Sequence, residues 1–162
     1  MIQRIQSVFL LLVAVIMVVI LFLPMWTKFD PEVMEVATLN AFQLVYASVD
    51  QEGNQTIMAI TNTYAISGLA ILGAAIALFS IFQFKNRLRQ IQLGAVNSLV
   101  MGGCLGVTYY YSTKGDQLLA PETIGNFQAG FYIIAAALLF NSLSNRFIRK
   151  DDRLVKSADR IR

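Results

Sequence analysis

Four long apolar segments, separated by polar ones, dominate the hydrophobic pattern of the chain. Each of them is long enough to cross a bilayer core about 30 Å thick as a helix. The sequence therefore predicts an all-α membrane protein, a single domain of four transmembrane helices. The predicted spans are residues 7–25, 64–84, 91–111 and 126–144.

The first span needs to be distinguished from a cleaved signal peptide, because it follows a short stretch that carries Arg4. The apolar run from Ser7 to Leu23 is longer than a typical signal-peptide core, and no small-residue cleavage site follows it. We therefore interpret it as an uncleaved span. Trp26 is then expected at the far membrane interface, where indole rings prefer to lie.

The outer loop over residues 26–63 is the only long polar stretch, and it predicts a small structure like a β-hairpin outside the membrane. Thr38–Val49 and Gln55–Thr63 are rich in residues that favour strands, and residues 50–54 between them are typical of a turn. A short helix near Leu39–Tyr46 remains an alternative.

Basic residues divide unequally between the two sides of the predicted helices. The N-terminal segment has one, the inner loop 85–90 has three and the tail 145–162 has seven, whereas the outer loops 26–63 and 112–125 hold only Lys28 and Lys114. Because basic residues accumulate on the cytoplasmic side of membrane proteins, we predict that both termini are cytoplasmic.

The composition excludes several kinds of active site. Histidine is absent and Cys104 is the only cysteine, so a disulfide within the chain and the usual Cys/His zinc sites are impossible. The predicted spans contain none of the ionisable groups on which ion-coupled transporters and intramembrane proteases depend. We expect no catalytic residue, no cofactor and no metal, and hence a protein that is not an enzyme.

The third span carries a small residue at every fourth position. On a helix these residues share one face and allow another backbone to approach closely. This face is a candidate helix-packing interface, either with another chain or with the other spans of the same chain. We name it the small-residue stripe, and it comprises Gly94, Ser98, Gly102 and Gly106.

The tail is the second candidate site. If the helix of the fourth span continues, basic residues gather on one side of it and can contact anionic lipid or an acidic partner. The alternative is an anchor that serves orientation only. Three aspartates dilute the charge, so nucleic acid is not expected as a direct partner. The basic residues are Arg146, Arg149, Lys150, Arg153, Lys156 and Arg160.

Several segments resemble a family of uncharacterised bacterial integral membrane proteins. They are MIQRIQ at residues 1–6, KNR at 85–87 with QIQL at 90–93, and IRKDD and LVKSADR at 148–152 and 154–160. The resemblance implies a four-span protein of the bacterial inner membrane that contains a domain of unknown function. It supplies no activity, substrate or catalytic residue.

Two functions remain open at this point. The first is a non-enzymatic accessory or scaffold subunit of a larger inner-membrane assembly, for protein export or the cell envelope, with lipid and membrane-protein partners. The second is a small oligomeric transporter or channel for a neutral or apolar solute, lined by Asn97, Ser98 and Asn141.

Overall fold

The computed structural model describes residues 2–50, 52–84, 86–119, 121 and 123–159, and within these ranges the side chains of residues 5–153. Long helices account for most of this chain. They are α1 (Ile2–Val19, continued by a 3-10 turn at Ile20–Phe22), α2 (Tyr64–Phe82), α3 (Arg87–Asp116) and α4 (Ala129–Asp159).

The four helices form a bundle in which α1 and α3 each pack against α2 and α4. All four are long and apolar enough to cross a membrane. Large apolar side chains such as Leu11, Ile71, Leu99 and Leu139 are exposed around the outside of the bundle. An apolar exterior of this extent is typical of a protein whose solvent is lipid, because a soluble protein rarely exposes large continuous apolar patches.

The prediction of an all-α fold is wrong, because the protein also contains a five-stranded antiparallel sheet. The strands follow one another in space in the order β4-β3-β2-β1-β5. Four of them come from the segment between α1 and α2, and the fifth joins them from the segment before α4. They are β1 (Trp26–Asp30), β2 (Glu35–Leu39), β3 (Gln43–Val49), β4 (Gln55–Asn62) and β5 (Asn126–Phe127).

The predicted hairpin is present as β3 and β4, which pair in antiparallel register. The alternative of a short helix near Leu39–Tyr46 is wrong, since this segment belongs to β2 and β3. The strand β1 escaped prediction for a physical reason. Its buried face carries Lys28 and Asp30 as well as Trp26, so charged residues occupy positions where an inward-facing strand normally has apolar ones.

The turn between β3 and β4 is built around Asp50. Its Oδ1 accepts hydrogen bonds from the backbone N–H groups of Glu52 at 2.9 Å and Asn54 at 2.8 Å. These bonds hold the pKa of Asp50 below its ordinary value, and the bond from Asn54 has the largest effect. Gly53 adopts a φ of +83°, which costs a glycine little. The sequence of the turn thus explains why the chain reverses here.

Lys28, in the middle of β1, is buried, and its ammonium group contacts the end of α3. Its Nζ lies 2.9 Å from Oδ1 of Asp116 and donates a second hydrogen bond, 3.0 Å long, to the Asp116 carbonyl. Asp116 is the last residue of α3, so the ammonium satisfies a carbonyl at the negative end of the helix dipole. The Asp116 side chain is 55% exposed, so only the lysine is desolvated. This contact fixes the sheet to the bundle.

Trp26, which we expected at the far membrane interface, is buried inside the protein beside the Lys28 contact, and its depth in a membrane stays a prediction. Its ring fits between Gly115 of α3 and Gly125, which precedes β5. A Cβ on Gly125 would be 2.2 Å from the ring, and one on Gly115 would be 2.6 Å from it. These two glycines therefore provide the space that the indole occupies.

We expect the loss of the Asp116 carboxylate to destabilise the protein more than the loss of the Lys28 ammonium. Asp116→Ala leaves a buried ammonium with one carbonyl, at a cost of about 3 kcal/mol in the free energy of unfolding. Lys28→Met retains an apolar stem and leaves the carboxylate in water, at a cost of about 1 kcal/mol. Thermal unfolding in mild detergent measures both. Equal losses would mean that desolvation of the ammonium does not govern this contact.

We also expect an added methyl group to destabilise the protein at one glycine and to be tolerated at another. Gly125→Ala forces a rigid indole to move, which should cost about 2 kcal/mol. Gly68→Ala in α2 is the matched control, because a Cβ there meets nothing within 4 Å. The control should leave stability unchanged or raise it by up to ~1 kcal/mol through better helix propensity. Thermal midpoints of the two variants in one detergent test this, and a stable Gly125→Ala protein would contradict the packing.

Candidate interaction surfaces

The outer edge of the sheet is β4, and all eight of its residues are exposed. Among the described strands β4 pairs with β3 alone, so its other edge presents unpaired backbone groups. The strand contains no charged residue and no proline. Charges and proline are two means by which proteins protect an edge strand from pairing with another chain. This edge is therefore open to a partner.

A β-bulge at Met58 brings two isoleucines of β4 onto one face. Ile57 pairs with Ala47 of β3, and Ile60 pairs with Val45. Residues that pair directly share a face, and positions 45 and 47 lie on the same face of β3. Ile57 and Ile60 are therefore neighbours on that face, 58% and 52% exposed. We call these two residues the β4 patch.

Tyr46 and Glu35 form a polar contact on the neighbouring strands. The Tyr46 hydroxyl donates a short hydrogen bond to Oε2 of Glu35, diagonally across β2 and β3. This bond raises the pKa of Tyr46, and partial burial and the nearby charges of Glu35 and Asp30 raise it further. The contact ties the centre of the sheet together beside the open edge.

At the end of the bundle opposite the sheet, a polar side chain of α4 holds α3. Nδ2 of Asn141 donates to the Gly94 carbonyl at 2.7 Å and to Oγ of Ser98 at 2.8 Å. Ser98 Oγ in turn donates to the same carbonyl at 3.1 Å. Such interhelical hydrogen bonds are worth about 0.6–2 kcal/mol in a membrane.

Two further polar contacts connect the remaining helices at the same end. Nε2 of Gln90 donates to the Ser80 carbonyl at 3.1 Å, from α3 to α2. Oγ of Ser144 donates to the Gln6 carbonyl at 3.3 Å, from α4 to α1. Neutral amides and hydroxyls therefore link all four helices. Buried polar atoms without a partner in the described chain remain at Gln6, Ser80, Asn97, Asn141 and Asn145.

The small-residue stripe divides into two halves. Gly94 is buried, and a Cβ on it would be 2.1 Å from Oδ1 of Asn145, so α3 and α4 approach closely there. Ser98 is half-buried in the hydrogen bonds to Asn141. Gly102 and Gly106 are exposed and face open space within the single chain. That Gly102 and Gly106 contact another chain stays a prediction.

The basic residues of the tail lie on a helix that is held against the bundle. Four of them, Arg146, Arg149, Lys150 and Arg153, are exposed at spacings that share one face of α4. The side chain of Lys156 and the whole of Arg160 lie outside the described part of the chain. Their contact with lipid or a partner stays a prediction.

Three contacts attach the first turns of this tail to the rest of the protein. Phe147 stacks on Phe9 of α1, with ring centroids 5.7 Å apart. Ile148 is fully buried. Asp151 lies 3.0 Å from the guanidinium group of Arg87, at the start of α3. A truncation within the tail would therefore remove packed residues together with the charges.

Among the described residues, no group of three or more histidine, cysteine, aspartate or glutamate side chains could hold a metal ion. Sequence reasoning missed Lys28 and the β4 patch as candidate residues. The burial of Lys28 depends on α3, which is distant in sequence, so no local signal reveals it. For the β4 patch, the uncharged stretch Gln55–Asn62 was a signal that the sequence offered.

The family described as "Domain of unknown function (DUF4293)" matches residues 2–161, nearly the whole chain. The chain therefore belongs to this family, and the predicted resemblance to a domain of unknown function is confirmed. No curated protein matches the chain significantly.

The pKa of Tyr46 provides a test of the sheet at high pH. Because this pKa is raised above its ordinary value of 10.0, the folded state favours the neutral phenol. The resulting stabilisation is complete below pH 10 and is lost as the pH rises through the raised pKa. Glu35→Ala removes both the acceptor and the charge, and should move the pKa back toward 10.

The measurement is a phenolate absorbance titration, in which the difference between the wild type and Tyr46→Phe isolates this residue. A Tyr46 pKa that does not respond to Glu35→Ala would contradict the hydrogen bond.

Proposed function

We propose that this protein is a non-enzymatic accessory or scaffold subunit of a larger assembly in the bacterial inner membrane. In this proposal the four helices cross the bilayer, both termini are cytoplasmic, and the sheet lies on the opposite side. The excess of basic residues at the end away from the sheet supports the orientation. The observation that carries the proposal is the open edge of β4 with the β4 patch.

Strand addition to a free sheet edge is a common way for proteins to bind one another, because backbone hydrogen bonds give affinity and side-chain contacts give specificity. The β4 edge offers the unpaired backbone groups, and Ile57 and Ile60 offer apolar contacts. The bulge at Met58 interrupts the ladder, so a partner strand would pair on either side of it.

The sheet can present this edge in a fixed position relative to the membrane. The contact between Lys28 and Asp116 holds β1 on α3. The packing of Trp26 between two glycines has the same effect. β5 joins the sheet to the start of α4 through its pairing with β1. A rigid display of a binding edge supports the role of a scaffold more than that of an enzyme.

The test is purification from cells at native expression level in mild detergent, with wild-type protein and three variants. Ile57→Lys with Ile60→Lys places charges on the β4 patch, which should weaken strand addition at least tenfold, or ~1.4 kcal/mol. Thr56→Lys adds a single charge of the same kind to the opposite face and is the control for charge outside the β4 patch. A third variant replaces the four exposed tail residues Arg146, Arg149, Lys150 and Arg153 by glutamine and retains Phe147 and Ile148.

A stoichiometric partner that is lost in the β4 double variant and kept in Thr56→Lys supports the proposal. Loss in the tail variant alone would assign the contact to the cytoplasmic side. If no partner appears and every variant remains a homo-oligomer, the proposal fails, and the alternative of a transporter or channel for a neutral solute gains support.

A further inference from the structure

The geometry points to a binding site for an anionic phospholipid of the cytoplasmic leaflet, in a cleft between α2 and α3. The proposal rests on the orientation of the protein proposed above, and it requires no protein partner. The cleft has a volume of about 200 Å³. Its lining residues are Phe79, Gln83, Arg89, Gln92, Leu93 and Val96.

The lining changes from polar to apolar along the helix axis. Arg89 lies in the first turn of α3, and Val96 lies seven residues further on, which corresponds to roughly 10 Å along the helix. Gln83 caps the end of α2, and Phe79 lies one turn before it. The polar end of the cleft is therefore at the end of the bundle away from the sheet, and its apolar end points toward the bilayer centre. A phospholipid has the same order of headgroup and acyl chain.

The outward face of the cleft is open to lipid, and its inner wall is closed by protein. Phe79 and Val96 are each about half exposed, at 54% and 49%. Behind them, buried Gln90 bonds to the Ser80 carbonyl and joins the two helices. An acyl chain can thus lie in the cleft from the membrane side without entering the bundle.

The charge of the cleft favours an anion. Its described lining includes one arginine and no carboxylate, and the two glutamines offer amide N–H donors. Arg87, the other described basic residue near this end of α3, is paired with Asp151. Arg89 is exposed, and no described carboxylate forms an ion pair with it, so its guanidinium group is available to a phosphate.

A second cleft, at the sheet end of the bundle, does not have a lining that favours an anion. It lies beside Trp26, Tyr109 and Pro121, and its lining includes the Asp116 carboxylate. A carboxylate repels a phosphate group, so this cleft does not suit the same ligand. This difference in charge, together with the shape of the α2–α3 cleft, assigns the lipid to the α2–α3 cleft.

The test uses the full-length protein, delipidated in detergent and titrated with phosphatidylglycerol or phosphatidylcholine in mixed micelles. Native mass spectrometry counts bound lipid, and the thermal midpoint measures its effect. Phosphatidylglycerol should bind in preference to phosphatidylcholine. Arg89→Gln should bind phosphatidylglycerol about fivefold more weakly, the effect of one basic residue near an anionic headgroup.

Three controls separate the site from general attraction between charges. Lys114→Gln removes an exposed basic residue at the opposite end of α3, outside the cleft, and should retain wild-type binding. Val96→Trp fills the apolar end and should weaken binding while all charges remain, and the exposure of Val96 allows the larger ring. Free glycerol phosphate should not raise the thermal midpoint, because it lacks the acyl chain.

Equal binding by the Arg89→Gln and Lys114→Gln proteins, unchanged binding by Val96→Trp, or equal binding of the two lipids would each overturn the proposal. These outcomes are independent of the purification experiment, since the β4 variants leave the cleft intact. Failure of the lipid site and failure of the scaffold role can therefore be told apart.

Discussion

The position of the sheet depends on one buried cation. A lysine ammonium loses its hydration when it enters a protein interior, and this loss is offset only where oxygen atoms replace the water. Asp116 supplies two such atoms at the end of α3, its carbonyl and its carboxylate. Because both of these oxygen atoms lie at the end of α3, the contact holds β1 there. The other strands then follow from pairing with β1 directly or in turn.

The bundle beneath the sheet satisfies a different constraint. Its exterior is apolar, so in the proposed membrane setting the hydrophobic effect gives the helices no reason to associate. Close approach and hydrogen bonds must supply the attraction instead. Gly94 provides the close approach to α4, and Asn141 provides bonds to the same turn of α3. The small-residue stripe and the polar residues of the spans thus act at the same place.

The parts of the fold that could be predicted from sequence are those with a local cause. The helices follow from apolar length, and the β3–β4 turn follows from Asp50 and Gly53. The rest of the sheet has no local cause. The charged Lys28 faces inward because α3 receives it, and the two residues of β5 form a strand only because β1 is beside them. A prediction made from each segment alone cannot include contacts with residues that are distant in sequence.

The candidate surfaces divide in the same way. The exposed basic face of α4 follows from helical spacing, whereas the α2–α3 cleft requires two helices to be placed side by side. The outer edge of β4 requires the strand order of the whole sheet. Sequence reasoning therefore identified the charged groups on the surface more readily than the cleft and the strand edge, which depend on how the elements pack together.

The packing around Asn97 bears on the choice between a scaffold and a transporter. Both polar atoms of its side chain are buried without a partner in the described chain, which would suit a path for a neutral solute. The surroundings are filled, however. A Cβ on Gly73 of α2 would be 3.4 Å from Oδ1 of Asn97 and 3.0 Å from Met17 of α1. A solute could not pass here without separating α1, α2 and α3, so transport would need a path between chains. Pairing at the open edge of β4 needs no such rearrangement, which supports the proposed scaffold role over transport.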